Sequence, residues 1–200
     1  MAENSIYMPR PRLRRRGIIY ETIETIVLIA CIYALVDLAS VRFYVEGPSM
    51  EPNFYTSQRV IVSRVNYMIE NPERGEIIVF ESPKAPGVEP PLIKRVIGLP
   101  GETIQIGDSQ VFINGQPLDE PYINEASWRS TCLRDEWKEG RTLGPEEYFV
   151  MGDNRNHSND SRCFGAIKRE HIIGEALIRY WPPENWNLLY KFRFPDNPFQ

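Results

Sequence analysis

The sequence predicts a mostly β domain that follows a single N-terminal transmembrane helix. One apolar stretch near the N-terminus is long enough to cross a membrane. The rest of the chain consists of short β-type runs between turn residues, and no long amphipathic helix is evident there. The 17 prolines and 13 glycines imply the frequent turns that a β-rich fold needs.

Length and composition limit the classes of function. A chain of 200 residues suits one globular domain with a short addition. Hydrophobic residues make up 42% and charged residues 25%, as in ordinary globular proteins. The formal net charge of −4 argues against nucleic acid as a partner, because nucleic-acid binders normally carry a basic face.

The N-terminal region predicts a basic cytoplasmic segment, residues 1–17, followed by a transmembrane anchor, residues 18–41. Five arginines and no acid lie in the part of the basic segment that contains Arg10, Arg12, Arg14, Arg15 and Arg16. The apolar stretch of roughly 24 residues would span about 36 Å as a helix, more than the ~30 Å hydrocarbon core. Arginines before a span stay in the cytoplasm, so we expect residues 42–200 to form an extracytoplasmic domain.

Two alternatives compete with the anchor, because its charge-free part is short. The acids that interrupt the stretch are Glu21, Glu24 and Asp37. The run between them, residues 25–36, has a length typical of a core helix or of a cleaved signal sequence. A signal needs small residues at −1 and −3, yet a cut after Ala39 leaves Asp37 at −3, and a cut after Ala34 leaves Ile32 there. We therefore favour an uncleaved anchor, whose acids lie toward its two ends.

The chain after the anchor divides into predicted strands and turns. The strands are Arg59–Ser63, Glu76–Phe80, Leu92–Ile97, Thr103–Ile106, Gln110–Ile113 and Glu147–Met151, and Gly165–Tyr180 closes the domain. Gly107-Asp108 and Asn114-Gly115 are turn signals that predict hairpins. Pro83–Pro91, with four prolines, predicts an exposed loop.

Ser49 lies in a segment that glycine and proline restrict, Gly47-Pro-Ser-Met-Glu-Pro52. A serine at such a bend can direct Oγ outward while its own N–H faces a developing oxyanion. The alternative is an ordinary turn serine, because turns favour serine in any protein. As a nucleophile, Ser49 would need a base.

A lysine is a better candidate for that base than a histidine. Gly-x-Ser-x-Gly is absent, and no local motif marks His157 or His171. In the strand Leu92–Ile97, side chains alternate between two faces, so Lys94 stands between two apolar neighbours. Burial of that face would lower the pKa of Lys94, as a neutral amine base requires. The alternative is an edge-strand lysine that prevents aggregation.

A polar segment, residues 152–165, follows the strand Glu147–Met151. Its acids, arginines, amides and hydroxyls could form a hydrogen-bonded network that holds a catalytic group. A calcium loop is an alternative, but Asp153, Asn154 and Asp160 lack the required order, and Arg155 and Arg162 would oppose a cation. A polar surface loop is the third interpretation.

The chain contains three cysteines. Cys31 lies in the anchor, whereas Cys132 and Cys163 lie in the outer domain, where a disulfide can persist. The two outer cysteines could equally be small buried residues. No CxxC or HExxH motif occurs, so we expect neither a zinc site nor any other metal or cofactor.

The segment of Ser49, the strand of Lys94 and the polar segment 152–165 together resemble sequences of the type I signal peptidases. These are the serine-lysine proteases that remove secretory signal sequences. The matching segments, in family order, are Gly47–Pro52, Arg74–Phe80, Lys94–Glu102 and Gly152–Arg155 with Ser158, Asp160, Ser161 and Arg162. The short gap between the last two segments resembles the compact members, including those of photosynthetic membranes. The resemblance runs from the anchor to about Trp181 and implies a signal-peptidase-like all-β catalytic domain.

The resemblance implies a role for each matching residue. Ser49 is expected to be the nucleophile and Lys94 the general base, with Ser158 donating or accepting a hydrogen bond that orients the lysine amine. Asp153 and Arg162 are expected to brace the site. The positions that match shallow apolar pockets, which admit small side chains at −1 and −3, are Val45, Val79, Leu92 and Ile93.

The sequence departs from the family pattern at two places. Some members have a serine where this chain has Gly47, and the hydroxyl of that serine helps to bind the oxyanion. The family more often continues Pro-Thr-Leu where this chain reads Pro52-Asn-Phe54, and Phe54 would narrow or reshape a pocket.

These inferences predict a single-pass endopeptidase that cleaves preproteins at a bilayer surface. Its expected location is the plasma or thylakoid membrane, with the catalytic domain on the periplasmic or lumenal side. Two other classes remain as alternatives. One is another serine-lysine protease, such as a self-cleaving repressor, against which the anchor argues. The other is a membrane-tethered β-rich binding module without catalysis.

Overall fold

The computed structural model describes residues 17–83, 85–124, 127–129 and 132–189. The predicted basic segment, apart from Gly17, lies outside the described residues. The chain divides into two compact units, Met1–Leu38 and Ala39–Gln200.

The helix α1, Ile18–Ala39, belongs to the first unit except for its last residue, and it is long and apolar enough to cross a membrane. None of its residues is buried. The helix ends at Ala39 rather than at Val41, the predicted end of the anchor. Val41 belongs instead to a strand and pairs with Val62, an arrangement that suits two β-branched side chains.

The second unit is mostly β, as predicted. Its strands are β1 Ser40–Tyr44, β2 Arg59–Ser63, β3 Ile77–Phe80, β4 Leu92–Gly98, β5 Thr103–Gly107, β6 Gln110–Ile113, β7 Gln116–Pro117, β8 Arg141–Thr142, β9 Glu147–Met151, β10 Ile167–Lys168, β11 Ile172–Trp181 and β12 Asn187–Leu188. Its helices are short: α2 Asn66–Ile69, α3 Asp135–Glu139 and α4 Ser161–Phe164. Arg169–His171 and Pro183–Asn185 form 3-10 turns.

The described strands form two antiparallel sheets. The larger has the order β1-β2-β11-β3-β4-β9-β10, with β12 also paired to β11. The smaller has the order β7-β6-β5-β8. All six predicted strands are present, with bounds that shift by a residue at most. The predicted segment 165–180 contains β10 and most of β11, whereas β1 and the two-residue strands β7, β8 and β12 were not predicted.

Both predicted hairpin turns form. Asp108 and Ser109 join β5 to β6 with φ values of 45° and 64°. Asn114 and Gly115 join β6 to β7 with φ values of 51° and 81°. Two successive positive φ values match the right-handed twist of a tight hairpin, and asparagine, aspartate and glycine tolerate them best.

Three clusters of buried apolar side chains lie in the described part of the second unit. One fills the smaller sheet and the end of β4, around Ile97, Ile104 and Trp137. The other two cover the two faces of β3, because Ile77 and Val79 belong to one cluster, and Ile78 and Phe80 to the other. The middle of β4 is therefore covered on both faces.

A disulfide joins Cys132 to Cys163, whose Cα atoms lie 5.0 Å apart. Of the two interpretations of these cysteines, the structure favours the bridge. Cys163 lies in α4, directly after Arg162, so the bond fixes the segment before α3 to the loop that follows β9. Cys31, in α1, is free.

Candidate active site

Ser49 lies in a turn that its own neighbours hold in place. Gly47 begins the turn with φ of 79°, a value that favours glycine. The N–H of Glu51 donates to the carbonyl of Pro48 at 3.1 Å, which closes the turn. Met50, on the other side of Ser49, is completely buried. The turn is therefore fixed to the core next to a half-buried serine.

Lys94 meets Ser49 from the middle of the larger sheet. Its Nζ donates to Ser49 Oγ at 2.7 Å and to the carbonyl of Ile93 at 2.8 Å. Lys94 is only 3% exposed, and β4 lies between β3 and β9. The edge-strand interpretation of this lysine is therefore wrong.

Burial lowers the pKa of Lys94 from 10.5 to about 8. The main cause is the loss of solvent around the ammonium, to which the nearby Arg162 adds. The carboxylates of Asp160 and Asp153 oppose the change. A substantial fraction of this amine is neutral near pH 8, and only the neutral form can accept a proton.

Gly152 lies at the point where the polar segment passes behind Ser49. A Cβ at this position would lie 2.3 Å from both the carbonyl oxygen of Ser49 and the Oγ of Ser158. The N–H of Asn154 donates to the same Ser49 carbonyl at 3.1 Å. The N–H of Gly152 itself donates to Asp160 at 3.0 Å. This close packing requires the absence of a side chain at residue 152.

Arg162 pairs with Asp160, and both are fully buried. The guanidinium donates from Nε and Nη2 to the two carboxylate oxygens, each at 2.8 Å. Burial alone would raise the pKa of Asp160, but the hydrogen bonds and charge of Arg162 hold that pKa below its ordinary value. This pair anchors the loop that carries Ser158.

Asp153 pairs with Arg95, the residue after Lys94. Arg95 donates from Nε and Nη2 to the carboxylate at 2.8 and 2.7 Å, and from Nη1 to the carbonyl of Gly75 at 2.9 Å. Its guanidinium lies 4.2 Å from the ring centre of Tyr122. Asp153 therefore braces the strand of Lys94 from the opposite face.

The hydrogen bond expected between Ser158 and Lys94 is not formed within the described part of the chain. The hydroxyl of Ser158 is buried and has no hydrogen bond of ordinary geometry there. It is among the groups that lower the pKa of Asp160. Ser158 therefore lies beside the predicted pair without touching the amine through a hydrogen bond.

The alternatives from histidine and calcium chemistry fit this geometry poorly. His157 contacts Asn154, and His171 lies 4.0 Å from Glu81, so Ser49 Oγ has a lysine rather than either histidine as its partner. The acids of the polar segment are paired with arginines. The described residues include no group of three or more His, Cys, Asp or Glu suited to a metal ion.

A groove of about 560 Å³ leads to Ser49 and Lys94. Its walls are β1 with the chain that follows it, and the segment 89–94. Of the four residues expected in substrate pockets, Leu92 and Ile93 line the groove. Val45 and Val79 do not, and are 1% and 2% exposed in the cluster that contains Ile93. Phe54 belongs to that buried cluster too.

The sequence interpretation missed the partners of two predicted bracing residues. No role was predicted for Arg95, the partner of Asp153, or for Asp160, the partner of Arg162. The signal was present in the alternation of β4, because an arginine that faces a buried side of a sheet needs a carboxylate. Asn53, which contacts Asp153 at 2.8 Å, gave no such signal.

Comparison with known families gives one match that spans most of the chain. The family model described as "Signal peptidase, peptidase S26" matches residues 19–181. The match covers α1 except its first residue, and nearly the whole described part of the second unit.

Similar curated proteins carry related names. A "Probable signal peptidase I-2" of Synechocystis is 37% identical over 73% of this chain and 65% of its own length, so this chain spans less than two thirds of that relative. "Signal peptidase I" of Leptolyngbya laminosa is 41% identical over 70% of this chain and 68% of its own. A second Synechocystis protein, "Probable signal peptidase I-1", is 38% identical over 80% and 84%.

The chain is also similar to solved structures. A signal peptidase I from Enterococcus faecalis is 34% identical, with a TM-score of 0.43, over 53% of this chain and 97% of the other.

Proposed function

The chain belongs to the signal peptidase family, peptidase S26, and from this membership we propose that it is a membrane-anchored serine endopeptidase that removes N-terminal signal peptides from preproteins. In this proposal Ser49 is the nucleophile and Lys94 the general base. The observation that carries it is the 2.7 Å contact between Ser49 Oγ and the Nζ of a buried lysine.

The reaction begins with a neutral Lys94. The amine takes the proton of Ser49 as Oγ attacks the scissile carbonyl, and the resulting oxyanion faces the N–H of Ser49. The ammonium returns the proton to the leaving amine, which leaves an acyl-enzyme. Water then attacks the ester, Lys94 again serves as base, and the free serine is restored. The proposal includes no metal and no cofactor.

The neighbours of Lys94 support this cycle. The protonated amine has three N–H groups, and Ser49 and Ile93 accept two of them. We assign the third to Ser158, whose buried hydroxyl lies beside Gly152, close to the carbonyl of Ser49. Asp153 and Arg162 hold the two segments that meet at the amine, through Arg95 and Asp160.

The groove is the proposed substrate site. An extended preprotein would lie between β1 and the segment 89–94, and main-chain hydrogen bonds would add it as a strand. Small side chains at −1 and −3 would face Leu92 and Ile93. Val45 and Val79 would form the buried base of these pockets. Larger side chains at −1 and −3 would therefore lift the substrate away from Ser49.

We further propose that α1 is the membrane anchor. Its length and apolar composition support a span, and the proposed substrates emerge from the bilayer next to their own apolar segments. Confinement to one plane would raise the effective concentration of enzyme and substrate for each other. The arginines at residues 10–16 support a cytoplasmic N-terminus, in a plasma or thylakoid membrane.

The test is cleavage of a preprotein by the purified full-length protein in lipid vesicles, with Ser49→Ala as the matched variant. We expect the wild type to release the mature protein and Ser49→Ala to release none while still binding the preprotein. Equal processing by both proteins would contradict the nucleophile. Binding without processing by the wild type would favour the non-catalytic binding module.

A further inference from the structure

Asn53 connects the turn of Ser49 to the polar segment behind it. Its side-chain amide donates to Asp153 Oδ2 at 2.8 Å and to the carbonyl of Tyr122 at 2.9 Å. One NH₂ group therefore uses both of its protons on two different segments. The backbone carbonyl of Asn53 accepts a third hydrogen bond, from Arg179 at 2.8 Å. A residue of the nucleophile turn thus joins three other parts of the domain.

The carboxylate that Asn53 reaches is the one that holds Arg95. Asp153 Oδ2 accepts from Asn53 and also from Arg95 Nη2, at 2.7 Å. Arg95 is next to Lys94 in β4, whose backbone is fixed by pairing on both sides. A continuous path of hydrogen bonds therefore runs from the turn of Ser49, through Asn53 and Asp153, to the strand of Lys94.

We propose that Asn53 is a positioning residue, which holds the turn of Ser49 at hydrogen-bonding distance from Lys94 by tying that turn to Asp153. The inference rests on the proposed function, because it assumes that Ser49 and Lys94 react together. Asn53 acts through Asp153 and is not expected to touch the substrate.

The amide at residue 53 also has an electrostatic consequence. The charged groups that influence Lys94 are Asp160, Asp153 and Arg162, and both carboxylates favour the ammonium. An amide donates to Asp153 without adding charge. A carboxylate at residue 53 would add a second negative charge beside Asp153, and the ammonium of Lys94 would be favoured further.

Two variants of Asn53 distinguish its effect on the distance between Ser49 and Lys94 from the effect of added charge on the pKa of Lys94. Asn53→Ala removes the tie, so we expect kcat to fall roughly 10- to 100-fold while KM changes less than about twofold, because the reacting atoms lose alignment. Asn53→Asp keeps the shape, removes the donor and adds charge. We expect it to lower kcat as well and to raise the pKa of Lys94 by roughly half a unit or more.

The measurements are preprotein cleavage over a range of pH and NMR titration of lysines labelled with ¹³C at Cε. The NMR readout follows Lys94 directly and needs no substrate, and Lys94→Arg identifies its signal. Thermal unfolding of each variant reports the folded fraction, so that rates are compared per folded molecule.

Asn66 supplies a matched control. Its side-chain amide donates to Glu175 at 2.5 Å, the same kind of amide-carboxylate contact, in α2. Asn66→Ala and Asn66→Asp should lower stability without changing kcat or the titration of Lys94. A general loss of packing would instead affect both pairs of variants alike.

The inference is overturned if both Asn53 variants, when folded, keep the wild-type kcat and the wild-type titration of Lys94. It is also overturned if the Asn66 variants lose as much activity as the Asn53 variants. A different outcome separates the proposed function from this inference. If Lys94 titrates as expected in every variant but the wild type cleaves no preprotein, the proposed substrate is wrong and the tie between Asn53 and the lysine strand stands.

Discussion

The two faces of β4 hold adjacent cations in opposite electrostatic settings. On one face, Arg95 has a carboxylate against it, and Asp153 holds the pKa of Arg95 above its ordinary value even though burial would lower it. On the other face, Lys94 has a hydroxyl and a carbonyl as its partners, and burial lowers its pKa to about 8. At similar burial, Arg95 is a permanent cation whose charge Asp153 stabilises, whereas Lys94, which has no paired carboxylate, remains a titratable amine.

The largest expected effect comes from Lys94→Arg, which would place a permanent cation on each face of β4. In Lys94→Arg the side chain cannot become neutral, so it cannot accept the proton of Ser49. We expect preprotein cleavage to fall by roughly four orders of magnitude or more, because nucleophile and base act as a unit. Cleavage within tenfold of the wild type would refute the assignment of Lys94 as base.

The paired face can be broken by Arg95→Met, which leaves Asp153 buried without its main partner. We expect the free energy of unfolding to fall by about 3–5 kcal/mol, measured by urea denaturation. Asp135→Asn is the control, because Asp135 is fully exposed in its contact with Lys138 and should give no measurable change.

Lys94→Met should raise the free energy of unfolding, in contrast to Arg95→Met, although Lys94→Met also abolishes cleavage. The folded pKa of about 8 lies below the unfolded value, so folding at neutral pH costs about 3 kcal/mol at this residue. Lys94→Met removes this cost, but the Ile93 carbonyl then loses its hydrogen-bond donor. The expected net increase in the free energy of unfolding is about 2 kcal/mol.

The stabilisation by Lys94→Met should depend on pH, because it comes from the lowered pKa of Lys94 in the folded state. The folded state binds fewer protons than the unfolded state between pH 8 and 10.5, so wild-type stability rises through this window and the advantage of Lys94→Met disappears. Parallel urea titrations of the two proteins at neutral and alkaline pH measure the difference. A constant difference across the window would mean that Lys94 titrates normally in the folded protein.

The pH dependence of cleavage tests the same amine during turnover. The neutral fraction of Lys94 should limit the rate, so kcat/KM should rise about tenfold per pH unit below pH 8 and level above it. A profile that levels near pH 6 would point to a histidine as the base instead.

The smallest expected effect concerns Ser158. Ser158→Ala removes the hydroxyl that we assign to the third proton of the Lys94 ammonium, and we expect a roughly 10- to 100-fold lower rate with the fold intact. Cleavage at the wild-type rate would show that the amine needs only Ser49 and Ile93 as partners.

Local sequence signals predicted the strands of this fold better than its long-range contacts. The strand Arg59–Ser63 and the Asn114-Gly115 turn could be found because alternation and positive φ are properties of a few neighbouring residues. β1 was missed, because Ser40–Tyr44 continues an apolar stretch and its strand character comes from pairing with β2.

The same limit applies to the candidate site. Ser49 and Lys94 were named from their motifs, and the structure brings them to 2.7 Å. The pairing of Asp153 with Arg95, and of Asn53 with Asp153, joins residues that lie far apart in the chain. Val45 and Val79 were assigned to pocket walls from the resemblance alone, and their burial in a cluster with Ile93 depends on the packing of the sheet.

The close packing at Gly152 predicts how mutations in its codon behave in a genetic screen. Any missense change in its codon adds a Cβ, which would lie 2.3 Å from the Ser49 carbonyl oxygen. That obstacle belongs to the backbone, so no smaller side chain elsewhere, including a glycine at residue 158, can make room for it. In a genetic screen we expect every amino-acid replacement at this position to recover as loss of function, and suppressors in other codons to be absent. Revertants should restore glycine itself.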